Sequence, residues 1–161
     1  MPSIILAVSL RITSDSSDNV MYSSKENANG NSPELIVGVE PADPSTVTFG
    51  NSTDSIPTMK NTFKIGPSDD AFVFRTYGNK NYGEDINLKV DMDDGYKNSY
   101  LRFDLSKVQI DAVISAKLRL YATLSSPSGG MFITVTDSEW NEKTVTYNNA
   151  PPADGIPLGM L

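Results

Sequence analysis

The chain has 161 residues, 13 basic and 20 acidic side chains, a formal charge of −7, and neither histidine nor cysteine. An acidic chain with scattered Lys and Arg is a poor match for a phosphate backbone, so nucleic acid is not an expected partner. Lack of His removes the commonest general base and metal ligand, and lack of Cys removes thiolate chemistry and disulfides.

The length suits one β-sandwich or parts of two modules. The most apolar stretch, residues 4–10 (IILAVSL), is far short of the roughly 20 residues that cross a bilayer, so no membrane insertion is expected. The stretch also lacks the basic flank of a signal peptide. It reads as a strand instead, because Leu6, Val8, Leu10 and Ile12 alternate with Ala7, Ser9 and Arg11.

Short strands follow at residues 20–22 and 34–37, joined by the Asn- and Gly-rich turn segment 25–32 (KENANGNS). From residue 41 the composition turns to Pro, Ser, Thr, Asn and Asp, which predicts a linker over 41–66, with 47–49 extended within it. Further strands are predicted at 71–75 (AFVFR), 86–90 (INLKV), 100–105 (YLRFDL), 116–122 (AKLRLYA), 131–136 (MFITVT) and 144–147. No window has capped helical periodicity. Many short strands separated by turn signals predict an all-β, antiparallel β-sandwich of jelly-roll type.

Alternation also assigns faces. Leu101, Phe103 and Leu105 are expected inward, against Tyr100, Arg102 and Asp104. Ile86, Leu88 and Val90 are expected inward, against Asn87 and Lys89. Ala116, Leu118, Leu120 and Ala122 are expected inward, against Lys117, Arg119 and Tyr121. Arg11 lies on the outward side of its strand. If these strands share a sheet, Arg11, Lys89, Tyr100, Arg102, Lys117, Arg119 and Tyr121 make a basic, aromatic-tipped surface suited to an anionic sugar polymer. Guanidinium forks would pair with uronate carboxylates, and tyrosine rings would cover pyranose faces. The plainer alternative is that these cations are solvated partners of carboxylates such as Asp104.

Asp91, Asp93 and Asp94, followed by Gly95 (DMDDG), form a weak candidate for a structural calcium site, since Ca²⁺ takes several oxygen ligands on a tight turn. An acidic hairpin turn explains the same residues. Asp69 and Asp70 are a second weak candidate. Glu139 and Glu142, flanking the single tryptophan Trp140, are the most tempting carboxylate pair for glycoside hydrolysis, but they sit in no distinctive motif. No other cofactor is expected, and no serine has a histidine to activate it.

Five segments then appear in order: Asp70-Ala71-Phe72-Val73; Asn81-Tyr82-Gly83 with Leu88-Lys89-Val90; Ser99 through Leu105 (SYLRFDL); Ala116 through Tyr121 (AKLRLY); and Trp140 through Pro151 (WNEKTVTYNNAP). Residues 69–161 thereby resemble the N-terminal two thirds of a DNRLRE domain and are similar to carbohydrate-binding module family 96. Residues 6–12, 20–26 and 33–37 resemble the closing strands of the same family. On that resemblance the chain divides into 1–40, the C-terminal strands of one module; 41–66, a linker; and 67–161, the N-terminal strands of the next, as in a tandem repeat. The two parts can alternatively pair as one permuted sandwich, or exchange strands with neighbouring modules. The resemblance implies a non-catalytic, polysaccharide-binding jelly roll with alginate the leading target, carried by an exported, extracellular or cell-surface multidomain protein. It leaves open a purely structural spacer or adhesin-like repeat.

Overall fold

The computed structural model describes residues 6–14, 16–40, 47–49, 52–54, 61–93, 95–108, 112–124 and 128–160. The alternation near the N-terminus becomes β1 (Ala7–Thr13), and the neighbours of this strand decide the architecture. β1 pairs antiparallel with β9 (Lys97–Asp104) on one side and β12 (Met131–Val135) on the other. β7 (Asp69–Phe74) extends the sheet beyond β9, and β13 (Pro157–Met160) extends it beyond β12, giving the order β13-β12-β1-β9-β7.

The second layer is built from two three-stranded antiparallel sheets. In one, β3 (Glu34–Val39) lies between β10 (Val113–Arg119) and β6 (Asn61–Ile65). In the other, β2 (Val20–Ser23) lies between β11 (Ala122–Leu124) and β8 (Asn87–Val90). β4 (Val47–Phe49) and β5 (Ser52–Asp54) form a separate antiparallel pair, and a 3₁₀ turn, η1 (Arg75–Tyr77), follows β7. The architecture is an all-β, antiparallel sandwich, as the strand spacing predicts.

Pleating places every second residue of β1 and β9 in the interior. Leu10 and Ile12 of β1, Leu101 and Phe103 of β9 and Phe132 of β12 meet Val20 and Tyr22 of β2, Leu35 and Val37 of β3, and Leu88 and Val90 of β8 in one core. Strands from 7–39 and from 61–160 thus interleave within the main sheets and share that core. The predicted linker differs at its end. Asn61–Ile65 is a strand with Phe63 and Ile65 packed on the core and Thr62 and Lys64 exposed, a short alternation hidden behind the polar run before it. Three residues expected inward are exposed: Ile86 lies just outside β8, while Ala116 and Ala122 lie on the outer strands β10 and β11.

A polar joint ties the N-terminal strands to the rest. The Lys25 backbone N–H donates to Asp70 Oδ2 at 2.8 Å, and the Lys25 ammonium meets Glu142 at 2.8 Å and Glu26 at 2.8 Å. Asp70 is fully buried on β7, on the same face as Leu101. Burial pushes its carboxyl well above the usual carboxylate range, and the nearby Glu26 carboxylate adds to the shift. The sandwich is less closed between β10 and β13. There an apolar cavity of about 270 Å³ is lined by Leu10, Val37, Leu105, Val113 and Leu158 among others.

Phe103→Ala is expected to cost about 3–5 kcal/mol in denaturant unfolding, because a fully buried ring is lost beside residues fixed by two sheets. A second expectation concerns alkaline pH. The Tyr22 hydroxyl donates to the Gly129 carbonyl at 2.6 Å, and burial pushes its pKa up to about 12. The unfolded phenol ionises near its ordinary value of 10.0, so above that pH the unfolded chain releases a proton that the folded chain keeps. Tyr22's contribution should therefore be complete below pH 10 and fall as pH rises toward 12. Unfolding curves across that range should lose this component in Tyr22→Phe.

Candidate functional site

Alternation places Arg11, Tyr100 and Arg102 on the outward face of the five-stranded sheet, but that face is not solvent. Segment 137–153 lies over it, and its Trp140 and Val145 form a second apolar cluster with Ala71, Val73, Tyr100 and Val135. Arg102 is enclosed by this layer. It pairs with Asp69, donates to the carbonyls of Ser138 and Trp140 at 2.8 Å each, and places its guanidinium 5.8 Å from the centre of the Trp140 ring. Tyr100 is buried and donates its hydroxyl to the Pro151 carbonyl at 3.0 Å. Arg11 lies opposite Tyr100 in the register, half-buried beside its hydroxyl. Polar atoms of Tyr100 and Arg102 are therefore committed to holding the covering segment down.

The other predicted side chains lie on different sheets. Lys117 and Arg119 project from β10 into solvent, and Arg119 meets Glu34 at 2.9 Å. Tyr121 is half-buried between β10 and β11, with its carbonyl accepting from Ser23 N–H. Lys89 is on β8, 3.2 Å from Asp85. The condition that would have gathered these cations on one surface, a shared sheet, is not met. In the acidic turn, Asp91 is buried, accepting from Asp93 N–H at 3.1 Å and meeting Lys97 at 2.9 Å. Asp93 is exposed, and Asp94 lies outside the described residues. Glu139 is exposed, while Glu142 is held by Lys25 and by Asp70 N–H.

Another basic and aromatic surface surrounds η1, where β7 ends beside the β8–β9 turn. Phe72 stacks on Tyr82 with centroids 4.2 Å apart, and Phe74 meets Tyr77 edge-on at 5.3 Å. Cations surround these rings: Lys80 is 4.9 Å from Tyr82, Lys89 is 4.7 Å from Phe72, and Lys97 is 4.8 Å from Phe74. Arg75 lies 5.6 Å from the Tyr96 ring, and its N–H donates to the Tyr96 carbonyl at 3.0 Å. Arg75 and Lys80 are exposed, as are Tyr77 (58%) and Tyr96 (40%).

The backbone around this surface is specified in detail. Tyr96 follows Gly95 (φ 88°) in a left-handed conformation (φ 55°) that is costly for a residue with a Cβ. The segment carrying Lys80 and Tyr82 is held from below by Asn81, whose amide donates to the carbonyls of Glu142 and Val145 at 2.6 and 2.7 Å. Gly83 passes so close that a Cβ there would run into the Glu142 carbonyl. Period-two reasoning missed this surface because its exposed members lie in turns. A cluster of Arg75, Tyr77, Lys80 and Tyr82 within eight residues was the available signal.

The family model of carbohydrate-binding module family 96 matches residues 61–161, more than half of the chain. The chain belongs to carbohydrate-binding module family 96. Every residue of the η1 surface falls within the matched region, whereas β1, β2 and β3 precede it. No curated protein and no solved structure matches the chain. Among the described residues of this module, no helix is long and apolar enough to cross a membrane.

Arg102→Met is expected to destabilise the module by about 3 kcal/mol, because it strands the buried Asp69 carboxylate and removes the clamp on segment 137–153. Thermal unfolding of the variant should show the loss. At a temperature where the variant remains folded, its carbohydrate affinity should match that of the parent.

Proposed function

We propose that this carbohydrate-binding module grips an acidic polysaccharide such as alginate across the η1 surface, without cutting it. The observation that carries the reading is the group of exposed tyrosines and cations, Arg75, Tyr77, Lys80 and Tyr96, on a chain of net charge −7. Exposed rings cost hydration and serve sugars well, since a pyranose offers an apolar face to stack on them. Arg75 can pair its fork with a uronate carboxylate, while Lys80 and Lys89 act as point charges. The locked carboxylate of Glu142 favours a binding role over a hydrolytic one. An extracellular or cell-surface setting, beside polysaccharide-degrading domains, is where such a grip is useful.

Titration against alginate, pectin and a neutral glucan at two ionic strengths tests the reading. Uronate polymers should bind and weaken as salt rises, because exposed charges are screened. Tyr77→Ala and Lys80→Ala should each lower alginate affinity about tenfold, or ~1.4 kcal/mol, while Lys117→Ala on β10, outside this surface, should have little effect. Equal, salt-insensitive binding of the neutral glucan would remove the acidic-polymer assignment. Release of an ultraviolet-absorbing unsaturated product would remove the non-catalytic one.

A spacer or adhesin-like role is the second reading. It is favoured by the outer strand β13, on and beside which Ile156, Leu158 and Met160 are exposed, a pattern suited to edge pairing with a like module. Sedimentation that gives a monomer at all concentrations, together with sugar binding, would set that reading aside.

A further inference from the structure

We propose that Glu26, Asp70 and Glu142 form a binding site for a divalent cation of the calcium type, at the joint between the N-terminal strands and β7. The three residues come from distant parts of the chain: the turn after β2, the buried strand β7 and the turn after Trp140. One carboxylate oxygen of each lies within 4.8 Å of the other two. Such convergence of carboxylates is costly unless positive charge sits among them.

Lys25 supplies one such charge, and its reach is incomplete. Its ammonium is engaged with Glu26 Oε1 and with both Glu142 oxygens, at 2.8–2.9 Å. Two buried oxygens of the cluster meet no N–H or hydroxyl donor, Oδ1 of Asp70, a residue with no exposed surface, and Oε2 of Glu26, and the two carboxyls lie against each other instead. Each belongs to a carboxylate of the cluster, so the unpartnered acceptors and the converging oxygens are parts of one feature. Three carboxyl groups facing one ammonium leave more acceptor oxygens than it can reach, and a hard cation would use them in place of a shared proton. Calcium takes six to eight oxygens at roughly 2.3–2.6 Å and accepts carboxylates one or two oxygens at a time. The Lys25 side chain is 26% exposed, so it can swing into solvent and yield its place. The ammonium marks where the positive charge belongs, and the ion would complete what the ammonium leaves unsatisfied.

The acidic turn at Asp91 lacks this property. Asp91 Oδ1 accepts from Asp93 N–H and Oδ2 from Lys97.

The test is calorimetric titration of chelator-treated protein with CaCl₂, with thermal unfolding in parallel. One calcium per chain is expected, with Tm raised by roughly 3–8 °C at saturation. Glu26→Gln should abolish the rise, Lys25→Met should bind calcium more tightly than the parent, and Asp93→Asn should respond as the parent does. The proposal is overturned if the parent neither takes up calcium nor gains Tm. It is equally overturned if only Lys25→Met binds, or if the response is lost with Asp93 and kept in Glu26→Gln. Direct titration of the parent decides the matter even if Glu26→Gln does not fold.

Discussion

The position of β1 between β9 and β12 is the constraint on which the remaining structure depends. A central strand is paired along both edges, so removing it would leave β9 and β12 separated by a gap and withdraw Leu10 and Ile12 from the core. The same strand holds the outer layer, because Ser9 and Arg11 face the segment that carries Trp140 and Pro151. Residues at the two ends of the chain therefore stabilise one another through a strand that neither end could replace. Pairing of this kind closes a long chain loop before its contacts form, which gives the fold a high contact order.

The cations divide into two groups with opposite tasks. Arg102 is used inward: a guanidinium over a tryptophan, an aspartate at its fork and two carbonyls accepting from it fasten a polypeptide layer to a sheet. Lys80 and Arg75 are used outward, beside tyrosine rings on turns braced from beneath by Asn81 and the close approach of Gly83. A planar, delocalised guanidinium tolerates partial burial far better than a compact ammonium does. That difference fits Arg, and not Lys, at the centre of the covered face.

Much of the fold was legible in the sequence because pleating imposes a period of two. Alternation puts Leu101, Phe103, Leu88 and Val90 inward, and all four are buried, whereas Ala116 and Ala122 on outer strands are exposed. Alternation tells which residues point away from the core; it says nothing of what lies beyond them. Arg11, Tyr100 and Arg102 point away from the core and meet a second layer of chain, made by a loop with little regular structure of its own. The grouping of Lys89 with Lys117 failed for a related reason, since sheet membership is set by pairing partners far apart in sequence. The η1 surface was hidden for the reverse reason, because turn residues carry no periodic signal. Asp70 was visible as half of an acidic pair, but Glu26 and Glu142 join it only through the tertiary fold.

The single tryptophan sits at the seam between the N-terminal strand and the covering segment. Trp140 is buried, its indole N–H donates to Ser9 Oγ of β1 at 3.2 Å, and its ring lies edge-on to Tyr100 and beneath Arg102. The chain therefore carries its one tryptophan fluorophore at the place where β1 docks. Its emission would redden on exposure to water if β1 left the sheet while the remaining strands stayed paired. Comparing that signal with backbone circular dichroism would separate departure of the first strand from loss of the whole sandwich.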